Sequence, residues 1–478
     1  MTSVVVVGGG IAGLAAARRL VLSGCDVTVL EAGARWGGKI ASLRLDGARL
    51  DVGAESVLAR RPEAVALMAE LGLAGQLVHP TDARSQVLVG GAARPLPPSA
   101  MGVPRDLDAL VGYLSDEGLQ RARQEPSLPA PPLAADLPIG RYVDERFGPE
   151  VTDRLLEPLL GGVYAGQARS LSFDAVAQPL FERARAGGSL LEHARQSTAT
   201  TASGPVFAGL DGGIGTLVDA LVADLLRRGA TLRTGTAVRE LSPRPGGGYR
   251  LVCGPVPAAG TVSADAVVLA IPAGPAGRLL SGLVPPAAEF GAVPYASFAV
   301  LTLVVGGADL AASGLLVPPG ELPTIKALTH SSTKWAWTGE QARSVWGEGS
   351  AVVRASVGRY GEAALLQLDD EALLQRTVAE AAGLPGWAGA RLVRGAVTRW
   401  GGALPQYLLG HRELVGRLRA SLAEHPGLAV CGAALDGVGI PACLASAARA
   451  ATTITDDLSG LPAGTRTTSD LHTLERKP

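Results

Sequence analysis

The sequence predicts an α/β protein: one parallel-sheet domain that the chain enters three times, with an antiparallel-sheet domain and a helical domain inserted between the visits. Three observations predict this. The chain opens strand–glycine cluster–helix–strand within about 30 residues, the size of one βαβ unit. Strand and helix signals of the same kind return near 207–240 and near 428–450. Between the visits lie a mainly helical stretch and a stretch of alternating short strands and turns, both too long to be loops.

Bulk composition narrows the class. A length of 478 residues accommodates about three domains. The 47% of hydrophobic residues excludes a disordered chain. The 63 glycines and 33 prolines form no G-X-Y repeat, which excludes collagen. So much glycine serves tight turns, or backbone that closely approaches a ligand. The 43 basic and 44 acidic residues nearly cancel and form no basic stripe, so nucleic acid is excluded as a partner. Lysine is confined to Lys39, Lys326, Lys334 and Lys477, and the arginine excess is read as the coding bias of a GC-rich genome. Cys25, Cys253, Cys431 and Cys443 form neither a CxxC nor a His/Cys ligand spacing, so no disulfide scaffold and no metal site is expected. The N-terminus lacks a basic n-region, and the longest apolar stretches, such as 298–308, are too short to span a bilayer. The expectation is a reduced, cytoplasmic protein whose high mean hydropathy leaves room for weak peripheral contact with a membrane.

Each element has its own warrant. Val4-Val5-Val6-Val7 is a continuous β-branched run, as in a strand buried on both faces. Gly8, Gly10 and Gly13 follow as G-x-G-x-x-G, enclosing Ile11 and Ala12, and lead into a helix ended at Gly24. The first glycine permits the tight turn, the second lets a pyrophosphate approach the backbone, and the third lets helix and strand pack closely. The helix N-terminus offers free N–H groups and a positive dipole end to the phosphates. A second strand closes on Glu31, placed to accept hydrogen bonds from ribose hydroxyls. This is a dinucleotide site. Glu31-Ala32-Gly33-Ala34-Arg35-Trp36-Gly37-Gly38-Lys39 then adds a second glycine pair. An NAD enzyme has no need of it, so the cofactor is read as FAD. The block E-x-x-x-R-x-G-G-[RK] resembles the FAD signature shared by flavin amine oxidases, phytoene desaturases and protoporphyrinogen-type oxidases.

Further along, 60–75 reads as a helix stopped by Gly72. The stretch 98–200 is helical, broken at 124–138 by a proline-rich flexible or extended connector, or alternatively a lid over a substrate site. A helix is expected over 217–226, a buried strand over 267–271, an antiparallel sheet over 290–410, a last strand over 428–430 and a last helix over 443–458. The domains are therefore 1–85, 205–270 and 425–458 for FAD, 98–200 for the helical domain, and 86–97 with 271–424 for the substrate domain. A disordered tail is expected over 459–478. At the far end Gly432, Val438, Gly439 and Ile440 are expected against the flavin, where glycines admit a flat ring and a helix N-terminus faces its polar edge. Val238 joins them from the middle visit. Asp436 is read either within that motif or as an ordinary helix cap.

The whole chain to about residue 458 resembles the oxygen-dependent porphyrinogen oxidases of haem biosynthesis. The resemblance rests on Glu157-Pro158-Leu159-Leu160-Gly161-Gly162-Val163-Tyr164-Ala165-Gly166, Ser332-Thr333-Lys334-Trp335, Leu404-Pro405-Gln406-Tyr407 and Asp436-Gly437-Val438-Gly439-Ile440-Pro441. It implies a Rossmann-type, p-hydroxybenzoate-hydroxylase-like FAD domain, non-covalent FAD, and dioxygen as acceptor. It also implies six-electron oxidation of a porphyrinogen, with peroxide as by-product. Coproporphyrinogen III, with four propionates, is preferred to the more apolar protoporphyrinogen IX, because the composition looks like that of a high-GC actinobacterium. The other readings are a protoporphyrinogen IX oxidase, a flavin amine oxidase and a non-catalytic flavin-binding protein. By resemblance, Gly53, Ala54, Glu55 and Ser56 lie near the flavin. Arginine forks match carboxylates, and Arg84 and Arg60, or Arg61 in place of Arg60, are the expected propionate partners. Lys334 and Tyr407 are the remaining candidate substrate contacts; the other readings are the flavin edge or a turn cap for Lys334 and ordinary core packing for Tyr407.

Overall fold

The computed structural model describes residues 1–197, 204–256 and 259–459. Strands β1 (Ser3–Val7), β2 (Asp26–Leu30), β3 (Thr231–Arg233), β4 (Ala266–Leu269) and β5 (Leu428–Val430) pair in parallel in the order β3-β2-β1-β4-β5. The valine run makes β1 the centre of this sheet, because side chains alternate across a strand. Val4 and Val6 enter the core beneath helices α1 (Ile11–Leu22), α2 (Gly215–Arg227) and α3 (Ile440–Ser459). Val5 and Val7 enter the core on the opposite face. That face is covered by helices Ala273–Leu280 and His411–Leu422 and by a three-stranded antiparallel sheet of Val238–Pro243, Tyr249–Cys253 and Gly260–Ala264. The sequence reading has no counterpart for this small sheet. Arg239, Glu240, Ser242 and Pro243 are exposed, so its first strand carries no apolar alternation.

The N-terminus of α2 is held from a distance. Asp51 Oδ2 accepts the Ile214 N–H at 2.8 Å and Oδ1 the Gly215 N–H at 3.4 Å. A carboxylate is favourable at the positive end of a helix. Burial nevertheless raises its pKa to about 6, against the opposing pull of the Ile214 N–H and Arg354. The native state therefore holds a proton that the unfolded chain has released, and stability falls as pH rises from about 4 to about 6. Asp51→Asn keeps an acceptor for Ile214 and is expected to remove this contribution, read as a urea midpoint that falls less steeply than that of the wild type across the window.

A second sheet has seven strands, in the order Arg391–Pro405, Tyr295–Gly306, Ser350–Val357, Ile325–Thr329, Gly314–Leu316, Ser85–Val89 and Ala92–Pro95. Its pairs are antiparallel except Gly314–Leu316 on Ser85–Val89, which is parallel. Helices between Asp116 and Gln196 enclose a separate core around Ile139, Phe147, Leu155 and Phe173. The proline-rich connector is anchored at its start and is not a free linker there. Glu125 is fully buried and pairs with Arg146 at 2.5 Å, while accepting from Ser189 Oγ and the Leu190 N–H. The helix expected over 60–75 is Pro62–Glu70 with a 3₁₀ turn at Ala74–Gln76. The last helix starts at Ile440, earlier than expected, and takes in Ser459. The rest of the expected tail lies outside the described residues.

Candidate cofactor and substrate site

A cleft of about 550 Å³ opens at the carboxyl ends of β1, β2 and β4, the usual place for a ligand in such a sheet. Gly8, Gly10, Ile11 and Ala12 line it from the first turn, and Glu31 and Ala32 from the end of β2. Gly37, Gly38, Lys39 and Ala54 line it from the next two loops, and Val238, Gly432, Val438 and Ile440 from the later visits of the chain.

The glycines do different things. Gly8 has φ +108°, and a Cβ there would sit 2.4 Å from the Ala270 carbonyl oxygen. A Cβ on Gly13 would sit 1.9 Å from the Gly8 carbonyl oxygen, so α1 leans directly on the turn. Gly10 has no such neighbour; the nearest atom to its Cβ position is Gly38 Cα at 3.9 Å. No side chain caps α1, and its first turn holds no acid. Its first N–H groups therefore remain available to an anion. Glu31 is pinned at the rim: Oε2 accepts the Gly9 N–H at 2.7 Å and Oε1 the Gly33 N–H at 2.6 Å. Each oxygen keeps a further acceptor site. The Gly37 N–H donates to the Gly9 carbonyl at 2.8 Å, holding the second glycine pair against the first. Lys39 lies over the Tyr295 ring, and burial lowers its pKa, an effect partly opposed by Cys443. An open cradle at Gly10, uncapped N–H groups and a rim carboxylate fit a dinucleotide.

Gly13, Arg35, Gly53, Glu55, Ser56 and Gly439 do not line the cleft. Several of them brace it. Arg35 donates to the Gly38 carbonyl at 2.7 Å and to those of Trp36 and Ile40 at 3.3 Å. Gly53 packs on Lys39, whose carbonyl oxygen would lie 2.0 Å from a Cβ there and accepts the Ala54 N–H at 3.1 Å. Glu55 turns away from the cleft. Its carboxylate meets Arg354 at 2.5 Å, Lys334 at 3.3 Å, Ser331 Oγ at 3.2 Å and the Trp335 indole N–H. Burial pulls its pKa up, but Lys334 and Arg354 with the indole bring it down to about 2. An expected cofactor contact and an expected substrate contact are thus an ion pair with each other.

Tyr407 lies behind the cleft wall. Its ring stacks on His411 with centroids 4.0 Å apart, and its hydroxyl donates to the Ala433 carbonyl at 2.5 Å. Tyr407→Phe is expected to cost about 1 kcal/mol, the worth of that hydrogen bond, read by thermal unfolding of the holoprotein. Arg60 and Arg84 are exposed and outside the cleft. Sequence reasoning missed Ala270, Ile271, Pro272, Arg278, Tyr295 and Cys443 as lining residues. The turn after β4 carried a usable signal, a buried strand running into Pro272. Arg278 carried none, being one arginine among many.

A family model described as flavin containing amine oxidoreductase matches residues 11–455. The coproporphyrinogen III oxidase of Mycobacterium tuberculosis is 36% identical over 467 residues, covering 95% of this chain and 97% of the relative. That of Mycobacterium leprae is 37% identical over 454 residues, covering 93% and 96%. A crystal structure assigned as a protoporphyrinogen oxidase from Exiguobacterium sp. 255-15 superposes with a TM-score of 0.81 at 30% identity, covering 96% of this chain and 99% of that one. The fold is that of the mixed α/β flavoprotein oxidases. With a glycine-built dinucleotide cleft and kinship along nearly its whole length, the chain belongs to the flavin containing amine oxidoreductases, among the coproporphyrinogen III oxidases.

Proposed function

We propose that this protein oxidises coproporphyrinogen III to coproporphyrin III in haem biosynthesis. Six electrons leave in three two-electron steps, and three molecules of dioxygen become three of hydrogen peroxide. Near-full-length kinship with coproporphyrinogen III oxidases is the observation that carries this reading. FAD, when bound, supplies the electron acceptor and its reoxidation by dioxygen. The chain binds and orients. The α1 N-terminus and the Gly10 cradle receive the pyrophosphate, and Glu31 receives ribose hydroxyls. The small residues around Gly432, with Val438 and Ile440, admit the ring, while Gly53, Ala54 and Ser56 form the loop beside it. Gly13, Arg35 and Glu55 hold these parts in place.

The finer architecture is read as a p-hydroxybenzoate-hydroxylase-like FAD domain over 1–85, 205–270 and 425–458. A helical domain over 98–200 and a substrate domain over 86–97 and 271–424 complete it. The strand order β3-β2-β1-β4-β5, with a three-stranded antiparallel sheet in the β3-to-β4 crossover, supports this division. We read the enzyme as cytoplasmic, with weak peripheral membrane contact allowed. Among the described residues no helix is long and apolar enough to cross a membrane.

The test is anaerobic mixing of the holoenzyme with coproporphyrinogen III, protoporphyrinogen IX and a polyamine in parallel. Bleaching of the flavin is expected to be fastest with coproporphyrinogen III and absent with the polyamine. Faster bleaching by protoporphyrinogen IX would overturn the substrate choice.

A further inference from the structure

Lys326 lies on the strand Ile325–Thr329 and is only 6% exposed. Lysines so deeply buried are ordinarily paired. The Lys326 ammonium makes no hydrogen bond or ion pair with any described residue; its contact is the Phe298 ring, whose centroid is 4.9 Å from Nζ. The register accounts for its position. Ile325 pairs with Val357 and Ala327 with Ser356, so Lys326 is the extra residue of a bulge, a device that re-aims a side chain. Ala299, Leu301 and Leu303 point into the core under helix Asp370–Ala381. By alternation, Phe298 and the ammonium above it lie on the other face of the sheet. The helix Glu157–Tyr164 packs over that face, and its Tyr164 ring meets Tyr407, whose hydroxyl donates to the carbonyl of the cleft-lining Ala433. The charged groups acting on Lys326 are Arg359, which donates to the Val317 carbonyl at 2.9 Å, and the half-exposed Glu362, 3.8 Å from Arg359. Arg359 also faces the buried Glu157 of the helix Glu157–Tyr164, whose carboxylate accepts the Ala168 N–H at 2.7 Å, so two cations face two acids and neither acid pairs with Lys326.

We propose that Lys326, supported by Arg359, receives a carboxylate of the substrate on the sheet face turned towards the helix Glu157–Tyr164. In the function proposed above, on which this inference rests, that carboxylate is a propionate of the porphyrinogen. Burial first and Arg359 second lower the Lys326 pKa to about 7. An arriving carboxylate relieves both effects and returns the lysine to its charged form. Carboxylate binding therefore takes up a proton above about pH 7 and weakens as pH rises.

The test is a fluorescence titration of the holoenzyme with coproporphyrin III and, separately, with its tetramethyl ester, which has the same ring and no carboxylates. K326M and K326Q are expected to weaken coproporphyrin III by about 10- to 100-fold, the range of a hydrogen bond to a charged group. They should leave the ester unchanged, and K326R should retain most of the affinity. Wild-type affinity for coproporphyrin III should fall by up to roughly tenfold per pH unit above about pH 7, while K326M shows no such slope. Melting temperatures of K326M and K326Q should not drop, because an unpaired buried charge has been removed. Equal binding by K326M and wild type, equal loss for acid and ester, or failure of both variants to fold would each overturn the proposal. If wild type binds coproporphyrin III yet does not oxidise coproporphyrinogen III, the function fails and the carboxylate site stands or falls on the binding data alone.

Discussion

Gly10→Ala is expected to fold with near wild-type stability and to purify without FAD, whereas Gly13→Ala loses the cofactor and about 3 kcal/mol of stability as well, at the upper end for overpacking. The two positions separate a ligand contact from a packing contact within one motif. Gly10 has φ −73°, which alanine adopts freely, and its Cβ would meet nothing nearer than 3.9 Å. In the absence of cofactor the added methyl group costs little. Its space is the one a pyrophosphate enters to reach the N–H groups of α1, so affinity for FAD should fall at least 100-fold, or about 3 kcal/mol. At Gly13 the methyl group would collide with Gly8, 1.9 Å from its carbonyl oxygen and 3.0 Å from its carbonyl carbon, and it would lie 3.1 Å from Ala270 Cβ. Backbone between a buried strand and a buried helix has no room to yield. Flavin absorbance of the purified proteins, FAD titration of the apoproteins and urea unfolding without cofactor check the pair. Wild-type FAD affinity in Gly10→Ala would remove this glycine from the phosphate site.

What was legible in the sequence was local. Val4 to Glu31 carry strand, turn, helix and acid in one continuous unit, and the second glycine pair follows directly. Each group there is placed by backbone geometry that its own neighbours dictate. Gly53 and Glu55 show where legibility stopped. Their loop was expected at the flavin, and Ala54 does line the cleft, but the Glu55 carboxylate is turned by Lys334, Trp335 and Arg354, which come from a distant part of the chain. Nothing near residue 55 encodes those partners. Tyr407 reads both as a pocket-lining aromatic and as core packing, and the sequence does not separate the two for a related reason. A motif aromatic looks the same whether it faces a cleft or, as here, stacks on a histidine four residues on, at the start of the next helix behind the wall. Lys326 did leave a trace, a rare lysine inside the mostly apolar segment Ile325-Lys326-Ala327-Leu328. The bulge that turns it from the ladder arises from pairing with Ser350–Val357 and has no local signature.

Glu55→Gln is expected to lower stability at neutral pH by about 3 kcal/mol and to weaken FAD binding about tenfold. The first figure has two sources. Neutralising one partner of a buried ion pair strands the other charge, typically at about 3–5 kcal/mol; here the side chains of Glu55, Lys334 and Arg354 are 10%, 18% and 13% exposed. Independently, a carboxyl held at about 2 against an ordinary 4.5 corresponds to about 3 kcal/mol of linkage. The folded pKa is depressed, so this stability is fully present above about pH 4.5 and is lost as pH falls through about 2. The gap between wild type and Glu55→Gln should therefore narrow steadily on acidification, seen in urea unfolding at a series of pH values. A gap of constant size down to pH 3 would assign the loss to packing instead of charge. The effect on FAD follows from a shared partner. Arg354 donates to Glu55 and, through Nη2, to the Gly53 carbonyl at 2.5 Å. Gly53 and Ala54 in turn rest on the Lys39 carbonyl at the cleft edge. Releasing Arg354 from Glu55 loosens both loops that the cofactor must find in place, and tenfold weaker binding is about 1.4 kcal/mol. Glu55→Asp keeps the charge one methylene short, so it should recover most of the pH dependence while recovering less of the FAD affinity, which depends on where Arg354 is held.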